Sequence, residues 1–190
     1  MTGARSDILG AVRKAIAKNA GQIQASAADS QAAAHTKARG RLASHPANLI
    51  PARGRLGEKA RVDLFIREAE RVSATVARVS SAAGVPREVA RFLAKNNLPM
   101  NLKIAPDISG KTIPWTEQTL LSVEEGRADG SESASVSRAF AGIAETGTLV
   151  MLSGSDNPTT LNFLPPTHVV VISASEITGD YEESWSQLRE

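Results

Sequence analysis

The sequence contains no cysteine. That excludes a disulfide framework, a cysteine-ligated zinc site and a protein-held iron–sulfur cluster of the usual kind. It is compatible with a reducing compartment, and a cytoplasmic location is expected. Aromatic residues make up only 4% of the chain, so the core must be built from Val, Ile, Leu and Ala. No apolar run approaches the ~18–20 residues of a membrane-crossing helix, so no transmembrane segment is expected. Residues 1–19 carry Lys and Arg throughout and lack the apolar centre of a secretory signal; they read as a structural helix. Several signatures are absent as well: G-x-G-x-x-G, the P-loop, G-x-S-x-G and H-E-x-x-H. A Rossmann nucleotide site, a serine hydrolase and a zinc protease are therefore unsupported. His35, His45 and His168 are too far apart in sequence to suggest a metal set, and no metal site is expected. His168 opens an apolar run and reads as a hydrogen-bonded structural histidine.

What is present fits a soluble α/β chain. Its 190 residues are 42% apolar and 22% charged, enough for one domain with a core plus an appended arm. The net charge of +2 is unevenly spread. Residues 1–103 hold 18 basic and 7 acidic residues, a net of +11, and the remainder nets −9. The plain reading is that the halves pair with each other or with a second subunit. Residues 37–61 hold seven basic residues and one acid, Glu58. They contain no Phe, Tyr or Trp on which bases could stack, which argues against single-strand nucleic-acid recognition and for a solvated arm.

Residues 6–19 have a helical apolar face of Ile8, Ala11, Val12, Ala15 and Ile16, with Ser6 as cap and Gly21 as stop. Residues 22–54 lack periodicity and read as an extended arm, through which the chain could form a homo-oligomer. The arm (1–54) is thus set apart from an α/β domain (55–190). Within the domain, Val62, Phe65, Ile66, Ala69 and Val72 make a helix stripe. Residues 74–79 read as a strand, the segment after Gly84 and Pro86 as a helix, and 100–105 as a strand, forming a βαβ unit. Residues 119–123 read as a strand and 133–140 as a short helix. Two further strands, 142–144 and 148–152, flank a Glu-Thr-Gly turn. Residues 161–164 read as one helical turn. Residues 167–172 form a β-branched run suited to a buried parallel strand, and Asp180 caps a last helix.

The candidate site is Glu145-Thr146-Gly147-Thr148. A carboxylate between two apolar strands is costly to bury unless it is hydrogen-bonded or used. Glu145 could take a proton or act as a nucleophile. Thr146, Gly147 and Thr148 offer hydroxyls and backbone N–H groups to a carboxylate or phosphate. The alternative is a turn whose carboxylate satisfies neighbouring backbone donors. A second candidate is the loop with Gly154, Ser155 and Asn157, before a helix start near Thr159; it contains no Lys or Arg, and its alternative is an ordinary surface loop.

Residues 141–150 (AGIAETGTLV) and 164–171 (LPPTHVVV) resemble the lactate-utilisation protein C family, or LUD domain. Its members show an A-x-I-A-E-T-G-T-L-V segment and then L-P-P-x-H before a β-branched strand. The upstream order agrees, including Ile113-Pro114-Trp115, so the resemblance covers roughly residues 56–190. It implies an open, mostly parallel sheet flanked by helices, like that of sugar-phosphate isomerases and CoA transferases. It further implies a cluster-free subunit of a bacterial system oxidising L-lactate to pyruvate, not catalytic alone, with iron–sulfur clusters on partner subunits and no cofactor bound directly. Two alternatives stay open: a CoA- or sugar-phosphate-handling enzyme using Glu145, and a polyanion-binding module using the basic arm. Two departures stand out. Members usually continue past the last helix into a G-P-S-x-T-A-D-I-E segment, so part of a site is expected beyond Glu190. The loop before L-P-P often carries arginine in the family, and here it reads SGSDNPTTLNF.

Overall fold

The computed structural model describes residues 3–110 and 112–190, without the side chains of 3–8 and 18–29. Two compact units are present, residues 1–48 and 49–190.

The first unit is one long helix, α1 (Gly3–Ser44). It runs through Gly21 and through residues 22–44 of the segment expected to be extended. The reason is composition: residues 20–44 are rich in alanine, the strongest helix former, and contain no proline. The helix ends where His45 takes a left-handed φ of 42° ahead of Pro46. Val12 and Ile16, on the expected apolar face, are exposed; the side chains of Ser6 and Ile8 lie outside the described residues.

The second unit is built on two sheets. Sheet A holds β1 (Asn101–Ile104), β2 (Ser122–Glu125), β3 (Ala134–Arg138) and β6 (Thr167–Val171) in the order β2-β1-β3-β6. All of its pairings are parallel. Sheet B holds β4 (Ala141–Ile143), β5 (Thr148–Val150) and β7 (Ile177–Thr178) in the order β5-β4-β7. There β4 runs antiparallel to β5 and parallel to β7. The helices are α2 (Glu58–Arg71), α3 (Val85–Lys95), the single turn α4 (Thr160–Phe163) and α5 (Tyr181–Arg189).

Each sheet has its own core. On sheet A, Val85, Val89 and Leu93 of α3 meet Leu102, Ile104, Val136, Ile113, Trp115 and Leu161. Full burial of each such aliphatic side chain favours folding by about 1.5–3 kcal/mol. The Trp115 indole is satisfied by donating to Ile108 O at 2.7 Å. On sheet B, Val62, Leu64 and Phe65 of α2 meet Ala144 and Ile177.

Three sequence expectations are corrected. Residues 133–140 form the central strand β3, not a helix. Ser135 and Ser137 are fully buried, and their hydroxyls are satisfied by partners remote in sequence: Ser135 donates to Leu161 O at 2.6 Å, and Ser137 meets Asn162 and His168. Residues 74–79 form no strand. Ser73 turns the chain with a φ of 71°, and the run that follows is mostly exposed with no ladder beside it, so its β-propensity has nothing to act on. The expected βαβ unit is therefore replaced by pairing of β1 with β2 and β3. Finally, β6 is an edge strand, half-buried along its length, not an enclosed one.

Candidate functional site

Glu145 lies just past the carboxyl end of β4, at the tip of the β4–β5 hairpin. Its amide donates to Gly179 O at 3.1 Å and that of Ala144 to Thr178 O at 2.9 Å, extending the ladder between β4 and β7. The residue is only 6% exposed, and its Oε2 is enclosed without a hydrogen-bond partner. The carboxylate therefore does not cap the turn through that oxygen. A buried acceptor left unpaired costs roughly 1–3 kcal/mol, more when charged.

The hydroxyls beside it form a closed set. Thr146 and Thr148 Oγ1 stand 2.8 Å apart, and Tyr181 Oη lies 3.3 Å and 3.1 Å from them. Tyr181 is delivered by α5, whose first turn is fixed by Asp180: its Oδ1 accepts from the amides of Glu182 and Glu183 at 2.9 and 3.1 Å. Gly147 has a φ of 68°, and a Cβ there would meet the backbone of α2. Its close approach serves helix packing.

The loop residues Gly154, Ser155 and Asn157 are not brought to Glu145. The hairpin rungs run from Ile143↔Thr148 to Ala141↔Val150, and the loop leaves from the base. At ~3.3 Å per residue the tip and base are on the order of 10 Å apart. The loop instead joins a second group, at the carboxyl ends of β1 and β3. Asp107, in a one-turn helix after β1, donates its amide to Asp156 O at 3.1 Å. Asn157 Nδ2 donates to the carbonyl of Arg138, the last residue of β3, at 2.8 Å. Arg138 in turn forms an ion pair with Glu176. Asp107 Oδ1 and Asn157 Oδ1 are both enclosed and unpartnered. Burial pushes the Asp107 carboxyl above the ordinary carboxylate range, opposed by the Arg138 charge and reinforced by Asp156.

Asp107 and Arg138 had no motif to announce them. The signal that finds them is topological. From β1 the chain passes to β2 on one side, and from β3 it passes by way of sheet B to β6 on the other. Adjacent parallel strands whose connections diverge open a crevice at their carboxyl ends, where ligands of open α/β sheets bind.

A third polar group lies on the face of sheet A. His168 Nε2 stands 2.7 Å from Ser137 Oγ, which is 3.2 Å from Asn162 Oδ1. A chain in which His168 donates to Ser137 and Ser137 to Asn162 satisfies all three. Burial lowers the His168 pKa below its ordinary value. Ser137 is fully buried, so this is an internal tie between β3, β6 and α4. Among the described residues no group of three or more His, Asp or Glu side chains could hold a metal ion. No helix there is long and apolar enough to cross a membrane.

The LUD domain profile matches residues 62–190, which includes both strand-end groups. The chain belongs to the LUD domain family. No curated protein matches it. Among solved structures, it is similar to the crystal structure of a DUF162 family protein from Deinococcus radiodurans. The two are 21% identical; the match covers 70% of this chain and 81% of that one, with a TM-score of 0.57. That likeness establishes the shared fold, a mostly parallel sheet flanked by helices.

Proposed function

We propose that this LUD protein is a cluster-free subunit of a system that oxidises L-lactate to pyruvate in the cytoplasm. The observation that carries the reading is the LUD match over residues 62–190, a family linked to lactate utilisation. The absence of cysteine supports a division of labour, because the chain has no thiolates to hold an iron–sulfur cluster. Clusters and electron transfer would then belong to partner subunits, and the LUD domain would bind or position a small molecule for them.

A second reading is favoured by one observation, the enclosed and unpartnered Oε2 of Glu145. A desolvated carboxylate is suited to accept a proton or attack an acyl carbon, which would make the chain a CoA- or sugar-phosphate-handling enzyme.

The two separate experimentally. Deleting the gene should abolish growth on L-lactate, and the tagged chain should co-purify with iron–sulfur proteins from lactate-grown cells. The purified chain alone should not reduce a dye with lactate. Unimpaired growth of the deletion strain on L-lactate would reject the subunit reading. Acyl-CoA turnover by the isolated chain, lost in Glu145→Gln, would establish the enzyme reading.

A further inference from the structure

We propose that the crevice between the carboxyl ends of β1 and β3 binds a polyhydroxyl ligand, a sugar or a ribose-type vicinal diol, with Asp107 and Asn157 accepting from its hydroxyls and Arg138 donating to them. This goes beyond the lactate reading and does not depend on it.

The location follows from the strand order β2-β1-β3-β6. The two strands that leave the sheet in opposite directions are the two that carry Asp107 and Arg138 just past or at their ends. Two independent features then point to a ligand rather than to a structural tie. Asp107 Oδ1 and Asn157 Oδ1 are both enclosed acceptors with no donor. The Asn157 side chain is nonetheless held in place, its amide nitrogen donating to Arg138 O, and the backbone amide of Asp107 ties the end of β1 to the same loop by donating to Asp156 O. Two unpaired acceptors, on residues tied to one loop and to the ends of adjacent strands, call for a partner that brings two donors.

The surrounding charges narrow its chemistry. An ammonium or a bare metal ion fits poorly, because the Arg138 cation already acts on Asp107 and no set of three or more ligating His, Asp or Glu is found among the described residues. A small anion also fits poorly, because Arg138 is paired with Glu176 and Asp107 and Asp156 add carboxylates. A neutral group that both donates and accepts meets every requirement. In a vicinal diol, one hydroxyl donates to the Asp107 carboxylate and the other to the Asn157 carbonyl oxygen, while guanidinium N–H groups donate to the hydroxyl oxygens.

Entry is through the loop. Residues 152–156 are exposed, and within the loop Gly154 N bonds Asn157 O at 3.2 Å. Because the two acceptor oxygens are enclosed, the ligand enters as this loop swings out and is covered when it returns.

The test uses the full chain and ligand-observed NMR with calorimetry. D-Ribose probes the free-sugar source and adenosine the nucleoside source; 2′,3′-dideoxyadenosine is the control lacking the diol. Binding of ribose or adenosine is expected, with the dideoxy control at least about tenfold weaker than adenosine if the nucleoside is the one that binds, since each lost hydroxyl leaves a buried acceptor unpaired. Asn157→Ala and the isosteric Asp107→Asn should each weaken binding about tenfold or more. If Asn157→Ala does not fold, Asp107→Asn alone decides the matter, because it preserves shape. No binding by either hydroxylated probe to the folded chain would mean that the two oxygens meet only internal water, and the proposal fails. It fails too if the dideoxy control binds as well as adenosine without any ribose binding, or if Asp107→Asn binds unchanged. Growth on L-lactate is a separate readout: dependence on the chain without diol binding would remove this site and leave the subunit reading standing.

Discussion

A Cβ built on Gly147 would stand 2.5 Å from the backbone nitrogen of Ala69 and 2.7 Å from the carbonyl carbon of Glu68. The hairpin turn thus touches the backbone of α2, and the same glycine takes a φ of 68°. Both conditions demand the absence of a side chain. Gly147→Ala should therefore lower stability by about 2 kcal/mol or more, combining backbone strain with overpacking. Gly154 has nothing within 4 Å of its would-be Cβ, and Gly154→Ala should stay within about 0.5 kcal/mol of the parent. Urea denaturation of the two variants measures the contrast. Equal midpoints would show that the hairpin does not rest on the helix.

A neighbouring prediction concerns acid. Burial lowers the pKa of His168, a residue of β6 that is tied to β3 and α4 through Ser137 and Asn162. A depressed folded-state pKa means that the unfolded chain binds the proton more readily. The stability contributed by neutral His168 is complete above the ordinary histidine pKa of about 6.5 and is lost as pH falls through the lower folded value. Denaturation midpoints should fall as pH drops below that range. His168→Gln, which cannot titrate, should flatten this part of the profile. An identical profile in His168→Gln would assign the acid sensitivity to other groups.

These two cases also show where the sequence was readable. The hairpin was legible because a glycine-centred turn sat between two apolar runs, and the helix α3 because Pro86 opened a stripe of Val89 and Leu93. The Asp180 cap was legible because capping is local. The strand β3 was not, because Ser135 and Ser137 look solvated until Leu161, Asn162 and His168 arrive from 25 or more residues downstream. The run at 74–79 misled for the opposite reason: it has strand chemistry and no neighbouring strand. The Glu145 turn was nominated from the chain alone. The crevice of Asp107 and Arg138 exists only once the order of β1 and β3 is known, although polar residues placed just after parallel strands are the trace such a crevice leaves in a sequence.

Asp107 should show the pH dependence opposite to that of His168. Burial, with help from Asp156, raises its pKa despite Arg138. The folded chain then holds the proton more tightly than the unfolded chain does. Stability is greatest while the carboxyl is protonated and declines as pH rises from the ordinary carboxylate range, about 3.9, through the folded value. Asp107→Asn removes the titration and the buried charge. It should be at least as stable as the parent near neutral pH, with a shallower decline from acid to neutral. Chemical denaturation across that range decides it; a clear loss of stability in Asp107→Asn at neutral pH would mean that the carboxylate is needed to hold the fold.

Glu145 is more deeply buried than Asp107, and its substitution carries a different expected cost. At 6% exposure, with Oε2 enclosed and unpaired, its charge is held where folding gains nothing visible from it. The turn is held by other means: the Glu145 amide on Gly179 O, the hydroxyl set of Thr146, Thr148 and Tyr181, and the contact of Gly147 with α2. Glu145→Gln keeps the shape and removes the charge, so the free energy of unfolding should stay within about 0.5 kcal/mol of the parent or rise. If the carboxylate serves the protein's activity, the same substitution should abolish growth on L-lactate at unchanged cellular levels of the chain. Natural proteins retain costly local features where function uses them. The pairing of the two readouts separates the readings: lost growth with intact folding assigns the charge to function, lost folding assigns it to the turn, and a well-folded variant that fully supports growth leaves Glu145 with no functional role.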